Sequence, residues 1–178
     1  MPEHILDFWF KETSPERWWK ADAEFDALIR ARFLEELIRA AAGELHEWRD
    51  SARGRLAEII VLDQFSRNIH RDTPAAFAQD PMALALAQEA VRAGALAELS
   101  PVERGFLLLP YMHSESAAIH VVAESLYREH APANNLEFEL KHKAIIDRFG
   151  RYPHRNAVLG RESTPEEAVF LTEPGSSF

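Results

Sequence analysis

Gly54-Arg55-Leu56-Ala57-Glu58-Ile59-Ile60-Val61-Leu62-Asp63-Gln64-Phe65-Ser66-Arg67-Asn68-Ile69 is the stretch that decides the fold. At 100° per residue, Leu56, Ile59, Ile60, Val61, Leu62 and Phe65 spread round the whole circumference, and a helix apolar on every side is buried. The stretch is therefore expected to be the central rod of a helical domain. Asp63 falls seven residues after Leu56 and Arg67 seven after Ile60, which places both charges on the Leu56/Ile60 stripe. A buried charge is costly unless paired, so the stripe points to a polar pocket at one end of the bundle. The acid-first, four-apart order favours an intrahelical Asp63–Arg67 pair. Two readings stand for it: a structural salt bridge tying the rod to a later arginine loop, or an acid that orients an arginine or histidine toward a ligand.

On either side of the rod the chain is punctuated as helices. Ser14-Pro15, Thr73-Pro74, Asp80-Pro81, Ser100-Pro101 and Thr164-Pro165 each place a capping side chain before a proline at the first helical position. Ser100 with Glu103 and Thr164 with Glu167 complete capping boxes. Gly43, Gly94 and Gly150 follow helical runs, where glycine accepts the left-handed turn. Phe8, Trp9, Phe10, Trp18 and Trp19 read as core. Phe25, Leu28, Ile29, Phe33, Leu37 and Ile38 form the apolar stripe of an amphipathic helix over 22–42, and Leu84, Ala87, Gln88 and Val91 the packing face of one over 81–93. Pro110 interrupts the next run and predicts a kink or break there, with Ser114 able to cap a continuing helix. No alternating strand pattern competes. The expectation is an all-α, single-domain bundle of antiparallel helical hairpins over 1–173, with a frayed tail at 174–178.

Composition narrows the function classes. Asp and Glu outnumber Lys and Arg by 29 to 20, giving a formal net charge of -9, which disfavours nucleic acid as a partner. With no cysteine, disulfides and thiolate metal sites are excluded, which suits the cytoplasm. No basic segment precedes an apolar run at Met1-Pro2-Glu3-His4, and no stretch approaches about 18 uninterrupted apolar residues, so neither a signal nor a membrane span is expected. Neither H-E-x-x-H, G-x-S-x-G, a phosphate-binding glycine loop nor a dinucleotide fingerprint occurs. No metal and no cofactor are expected.

Three further polar groups sit on core-facing positions. His113 extends the face of Phe106 and Leu109, Glu115 heads the stripe Ile119, Val122, Leu126, and His142 sits between Phe138 and Ile145 at steps of four and three. A histidine with a carboxylate to orient it is sufficient for general acid or base work, and His113, Glu115 and His142 are the catalytic candidates. From Arg148 to Arg161 the chain carries four arginines and no acid, and Arg148, Arg151, Arg155 and Arg161 can hold a phosphate or carboxylate through paired hydrogen bonds. His154, Asn156, Ser163 and Thr164 join them as ligand-binding candidates, the last two through free N–H groups at a helix start. Asp63, Gln64, Arg67 and Asn68 complete the set. A small anionic ligand, with or without proton transfer, is the leading reading. The competing one is a non-enzymatic hairpin module that binds a peptide or protein in a groove. RNA binding by the arginine loop, with Tyr152 stacking on a base, is the weakest.

Leu62-Asp63-Gln64-Phe65-Ser66-Arg67-Asn68-Ile69, Leu109-Pro110-Tyr111-Met112-His113-Ser114-Glu115 and the block from Arg148 to Glu167 resemble the bacterial domain of unknown function 924 family, as does the opening Leu6-Asp7-Phe8-Trp9-Phe10. The resemblance implies a single all-helical domain grouped with tetratricopeptide-like folds. It brings no established activity, and no tetratricopeptide consensus is visible in the chain.

Overall fold

The computed structural model describes Met1–Phe178. Nine α-helices are present and no strand: α1 Glu3–Asp7, α2 Ala23–Ala41, α3 Ala52–Ile60, α4 Ser66–Ile69, α5 Asp80–Arg92, α6 Pro101–Met112, α7 Ala117–His130, α8 Ala133–Phe149 and α9 Pro165–Phe170. A π-helical turn, Val61–Phe65, joins α3 directly to α4, so the rod runs unbroken from Ala52 to Ile69. Its six large apolar side chains are each 0–1% exposed, worth about 1.5–3 kcal/mol apiece. Around it, α1, α5 and α6 pack on α3, and α2 packs on the π turn and α4. The later helices pack consecutively, α5 on α6, α6 on α7 and α7 on α8. The rod enters this crowd through Gly54, where a Cβ would lie 1.9 Å from the Trp48 carbonyl oxygen.

Local signals translate closely at several ends. Both capping boxes form, at Ser100/Glu103 and Thr164/Glu167, and Gly43, Gly94 and Gly150 all adopt positive φ. Ser14 and Thr73 precede 3-10 turns without a side-chain cap bond. The Asp80 carboxylate is used elsewhere, and Gln79 stands at the N-cap of α5. The faces of two helices are rotated from expectation: Leu28 and Ile38 are exposed at 41% and 60%, and α5 buries Ala83, Ala87 and Ala90.

Pro110 lies inside α6 rather than at its end. The helix continues only to Met112 and closes with the His113 amide on the Leu109 carbonyl, so the break falls less than a turn beyond the proline. This displacement places His113, Ser114 and Glu115 in the turn between α6 and α7. Ser116, not Ser114, occupies the N-cap of α7. Glu115 therefore precedes the helix, and the buried face of α7 is His120, Ala123 and Tyr127, with Val122 exposed at 47%. The segment 174–178, a frayed tail by sequence, lies against the domain: the Ser176 hydroxyl donates to the Leu171 carbonyl at 3.3 Å, and the Phe178 ring stacks on His142.

Candidate functional site

The π turn carries Asp63. Such turns insert one residue into an α-helix and often mark functional positions. Here the turn presents a carboxylate that is 1% exposed. Its Oδ1 accepts from His113 Nδ1 at 2.7 Å and from Arg67 Nη1 at 3.2 Å, and its Oδ2 from Gln64 Nε2 at 2.5 Å. Arg67 also forks onto Asp80, Nη1 to Oδ1 at 2.8 Å and Nη2 to Oδ2 at 3.0 Å. Asp80 Oδ2 receives a longer 3.4 Å bond from Arg155 Nη1, while Arg155 Nη2 donates to the His113 carbonyl at 3.0 Å. The Arg155 guanidinium lies between the rings of Phe77 and Tyr152, 4.6 and 4.7 Å from their centroids, and its buried Nε has no partner.

Glu115 closes the other side. Arg161 binds it through both terminal nitrogens at 2.8 and 2.9 Å, and the Tyr152 amide donates to it at 2.7 Å. The Tyr152 hydroxyl donates to the Met112 carbonyl at 2.5 Å. Beneath the turn, His120 Nε2 donates to the Ser114 carbonyl at 2.8 Å and Nδ1 meets Glu139 at 2.7 Å. A carbonyl oxygen only accepts, so Nε2 of His120 carries a proton.

These groups border a cleft of about 400 Å³. Asp80, His113, Ser114, Glu115 and Arg155 form its polar side, and Phe77, Pro81, Leu84, Pro110 and Leu159 are among its apolar wall. The volume is within the range of small-molecule sites. His113 Nδ1 is committed to Asp63, while its Nε2 makes no hydrogen bond within the protein and the side chain is 16% exposed.

Burial raises the Asp63 carboxyl, but Arg67 and His113 outweigh it and hold the group well below the usual carboxylate range. Burial and the neighbouring Arg67 lower His113 against the pull of Asp63, so the ring is neutral at pH 7. Burial also lowers Arg155, with Arg67 adding to it. Glu115 is shifted down: burial opposes, and Arg161 with the Tyr152 amide prevails.

Asp63, Arg67, His113 and Arg155 thus form one hydrogen-bonded network through Asp80, and the Glu115–Arg161 pair meets it at Tyr152, whose ring Arg155 covers. Of the other sequence candidates, Gln64 and Asn156 bond to members of these groups and the rest do not. His142 makes no bond to Glu115: its Nδ1 donates to the Phe138 carbonyl at 2.7 Å, Phe178 covers its ring at 3.7 Å, and burial lowers it to about 3. His154 is half-buried against Tyr152 and Phe178 and lowered to about 4, by burial first and Arg155 second. Gln64 supports Asp63 from within. Asn68 faces α2, where it donates to Asp26 at 2.8 Å.

Arg148 pairs with Glu166, and Arg151 forks onto Glu167 at 2.7 and 2.8 Å. Asn156 donates to Ser163 at 3.1 Å and accepts from Arg161 at 3.0 Å. The Thr164 amide is taken by Glu167 at 2.8 Å, so the start of α9 has no free donor there. Three of the four loop arginines, Arg148, Arg151 and Arg161, are therefore each neutralised by a carboxylate, and Tyr152, 1% exposed, cannot stack on a base. No group of three or more His, Asp or Glu side chains is arranged to hold a metal ion.

Asp80, Phe77, His120 and Glu139 were not signalled by spacing. Asp80 has the sequence context of a cap, and the His120–Glu139 pair joins two helices across 19 positions.

Fold and network together define an all-helical protein whose buried Asp–His pair opens onto an apolar-walled cleft. The model of the bacterial family of unknown function DUF924 matches residues 5–175, and the chain belongs to that family. The structure of a protein of unknown function from Agrobacterium tumefaciens is similar, with 39% identity, 96% of each chain covered and a TM-score of 0.91. No curated protein matches the chain. No helix is long and apolar enough to cross a membrane.

Proposed function

We propose that the cleft binds a small anionic ligand, a carboxylate or phosphate, on Arg155, and that His113 acts beside it as general base and then general acid. The observation that carries this reading is the division of labour on the His113 ring: Nδ1 is held by buried Asp63 at 2.7 Å and Nε2 is left without a protein partner at the cleft. A carboxylate bound to one nitrogen fixes the tautomer that leaves the other free to accept a proton. A proton taken from a ligand or water by Nε2 gives an imidazolium whose second N–H stays on Asp63. Arg155 keeps its planar edge between two rings, with only one long carboxylate contact, and supplies the orienting charge.

Convergence of these groups on one cleft favours this reading over a peptide groove, where polar groups would be strung along a surface. The tetratricopeptide-like arrangement and a cytoplasmic location belong to the same proposal; the lack of cysteine suits the latter. The test is a titration of the full chain with sodium acetate and with inorganic phosphate, followed by the His113 imidazole resonances. The expected result is a shift with at least one anion that Arg155→Met abolishes while the circular dichroism spectrum is kept. Unmoved His113 resonances with both anions overturn the proposal.

A further inference from the structure

The charged groups on the cleft wall and behind it balance in number. Arg67, Arg155 and Arg161 carry three positive charges, and Asp63, Asp80 and Glu115 three negative ones. Two of the arginines are committed: Arg67 forks onto Asp80 and Arg161 onto Glu115, all four bonds at 2.8–3.0 Å. Arg155 has only the 3.4 Å contact to Asp80 and a carbonyl. It is 6% exposed and lines the cleft, and its Nε is unpartnered. A single under-neutralised cation matches a single negative charge. A second charge on the ligand would find no further free arginine and would share the cleft with Asp80 and Glu115, both on its wall, and like charges repel.

The rest of the wall has another chemistry. Phe77, Pro81, Leu84, Pro110 and Leu159 surround the polar side and offer no donor or acceptor from their side chains. A bare carboxylate or phosphate would leave them in water, whereas an apolar body attached to it would cover them.

Resting on the anion-binding reading, we infer that the cleft takes a monocarboxylate with a compact apolar body, its carboxylate on Arg155 and its body against Phe77, Leu84 and Leu159.

The test is calorimetric titration of the full chain with acetate, butyrate, hexanoate and hexyl phosphate, repeated on Arg155→Met and Leu159→Ser. Each methylene buried against the wall tightens binding about fourfold until the cleft is filled. Hexanoate is expected to bind more tightly than hexyl phosphate, to be lost with Arg155→Met, and to be weakened severalfold by Leu159→Ser. The chain-length series is read on the unaltered protein, so a misfolded variant does not void it. Affinity independent of chain length, or hexyl phosphate binding as well as hexanoate, overturns this inference and leaves anion binding standing. Failure of all four ligands to bind overturns both.

Discussion

Replacing Asp63 with asparagine removes one charge from the network while keeping its shape. The carboxylate is 1% exposed and accepts from His113, Arg67 and Gln64. Removing one partner of a buried pair costs about 3–5 kcal/mol. Asparagine still offers an oxygen to one donor, and Arg67 retains Asp80 at 2.8 and 3.0 Å, so the lower end applies, about 3 kcal/mol. For a chain of this size the midpoint of thermal unfolding falls about 2–4 °C per kcal/mol, or about 6–12 °C in all.

The same substitution has a signature in titration. Asp63 raises the basicity of His113 against burial and Arg67, so in Asp63→Asn the ring is protonated at still lower pH. Asp63 itself has a depressed folded value, so its stabilisation is present above the unfolded value near pH 4 and is lost as pH falls below it. The difference between wild type and Asp63→Asn is therefore expected to be full at pH 7 and to shrink below pH 4. Calorimetric melts at both pH values, with an NMR titration of His113, measure this. A midpoint lowered by less than about 2 °C at pH 7, with His113 titrating as in wild type, would refute the reasoning.

Three further outcomes follow from the packing. His142 is neutral in the fold and lowered to about 3 by burial, so stability is lost as pH falls from the unfolded value near 6.5 toward the folded one. His142→Gln should recover about 2–3 kcal/mol of the loss between pH 7 and pH 4.5, measured by urea unfolding at the two pH values. Gly54→Ala drives a methyl into the Trp48 carbonyl oxygen at 1.9 Å and should cost about 3 kcal/mol or more, whereas Gly105→Ala meets only the Asn135 side chain and should cost less in the same melt. Glu58, buried at 0% with Arg49 forked onto it at 2.7 Å, should lose about 3 kcal/mol on Glu58→Gln, and Glu58→Gln with Arg49→Met should lose clearly less than the sum of the singles, read from a double-mutant cycle.

The rod was legible because six large apolar residues in ten leave no solvent face, and Asp63, Arg67 and His113 stood out because charge on such a surface needs an account. Helix ends were legible where the signal is local: two capping boxes and three positive-φ glycines depend on residues within four positions of each other. What depends on distant partners was not. Glu58 sits in the same rod and is as buried as its neighbours, yet its partner Arg49 lies in a preceding turn that sequence spacing does not orient. Asp80 carries the pattern of a cap, and only the folded chain brings Arg67 and Arg155 to it. Pro110 signals a lost hydrogen bond, but a proline near a helix end disturbs only the last turn, so the break fell after Met112. His142 satisfied the periodicity of an inward face, but its ring is claimed by its own helix and by Phe178.

Asp80 gives one carboxylate to two arginines of unequal claim, the tight fork of Arg67 and the loose reach of Arg155. The first residue of α5 is thereby the hinge pin between the buried rod and the loop that carries Arg155. Were Arg155 drawn off that pin, Arg67 would be its sole holder, and Arg67 is also the side chain that binds Asp63 in the middle of the protein.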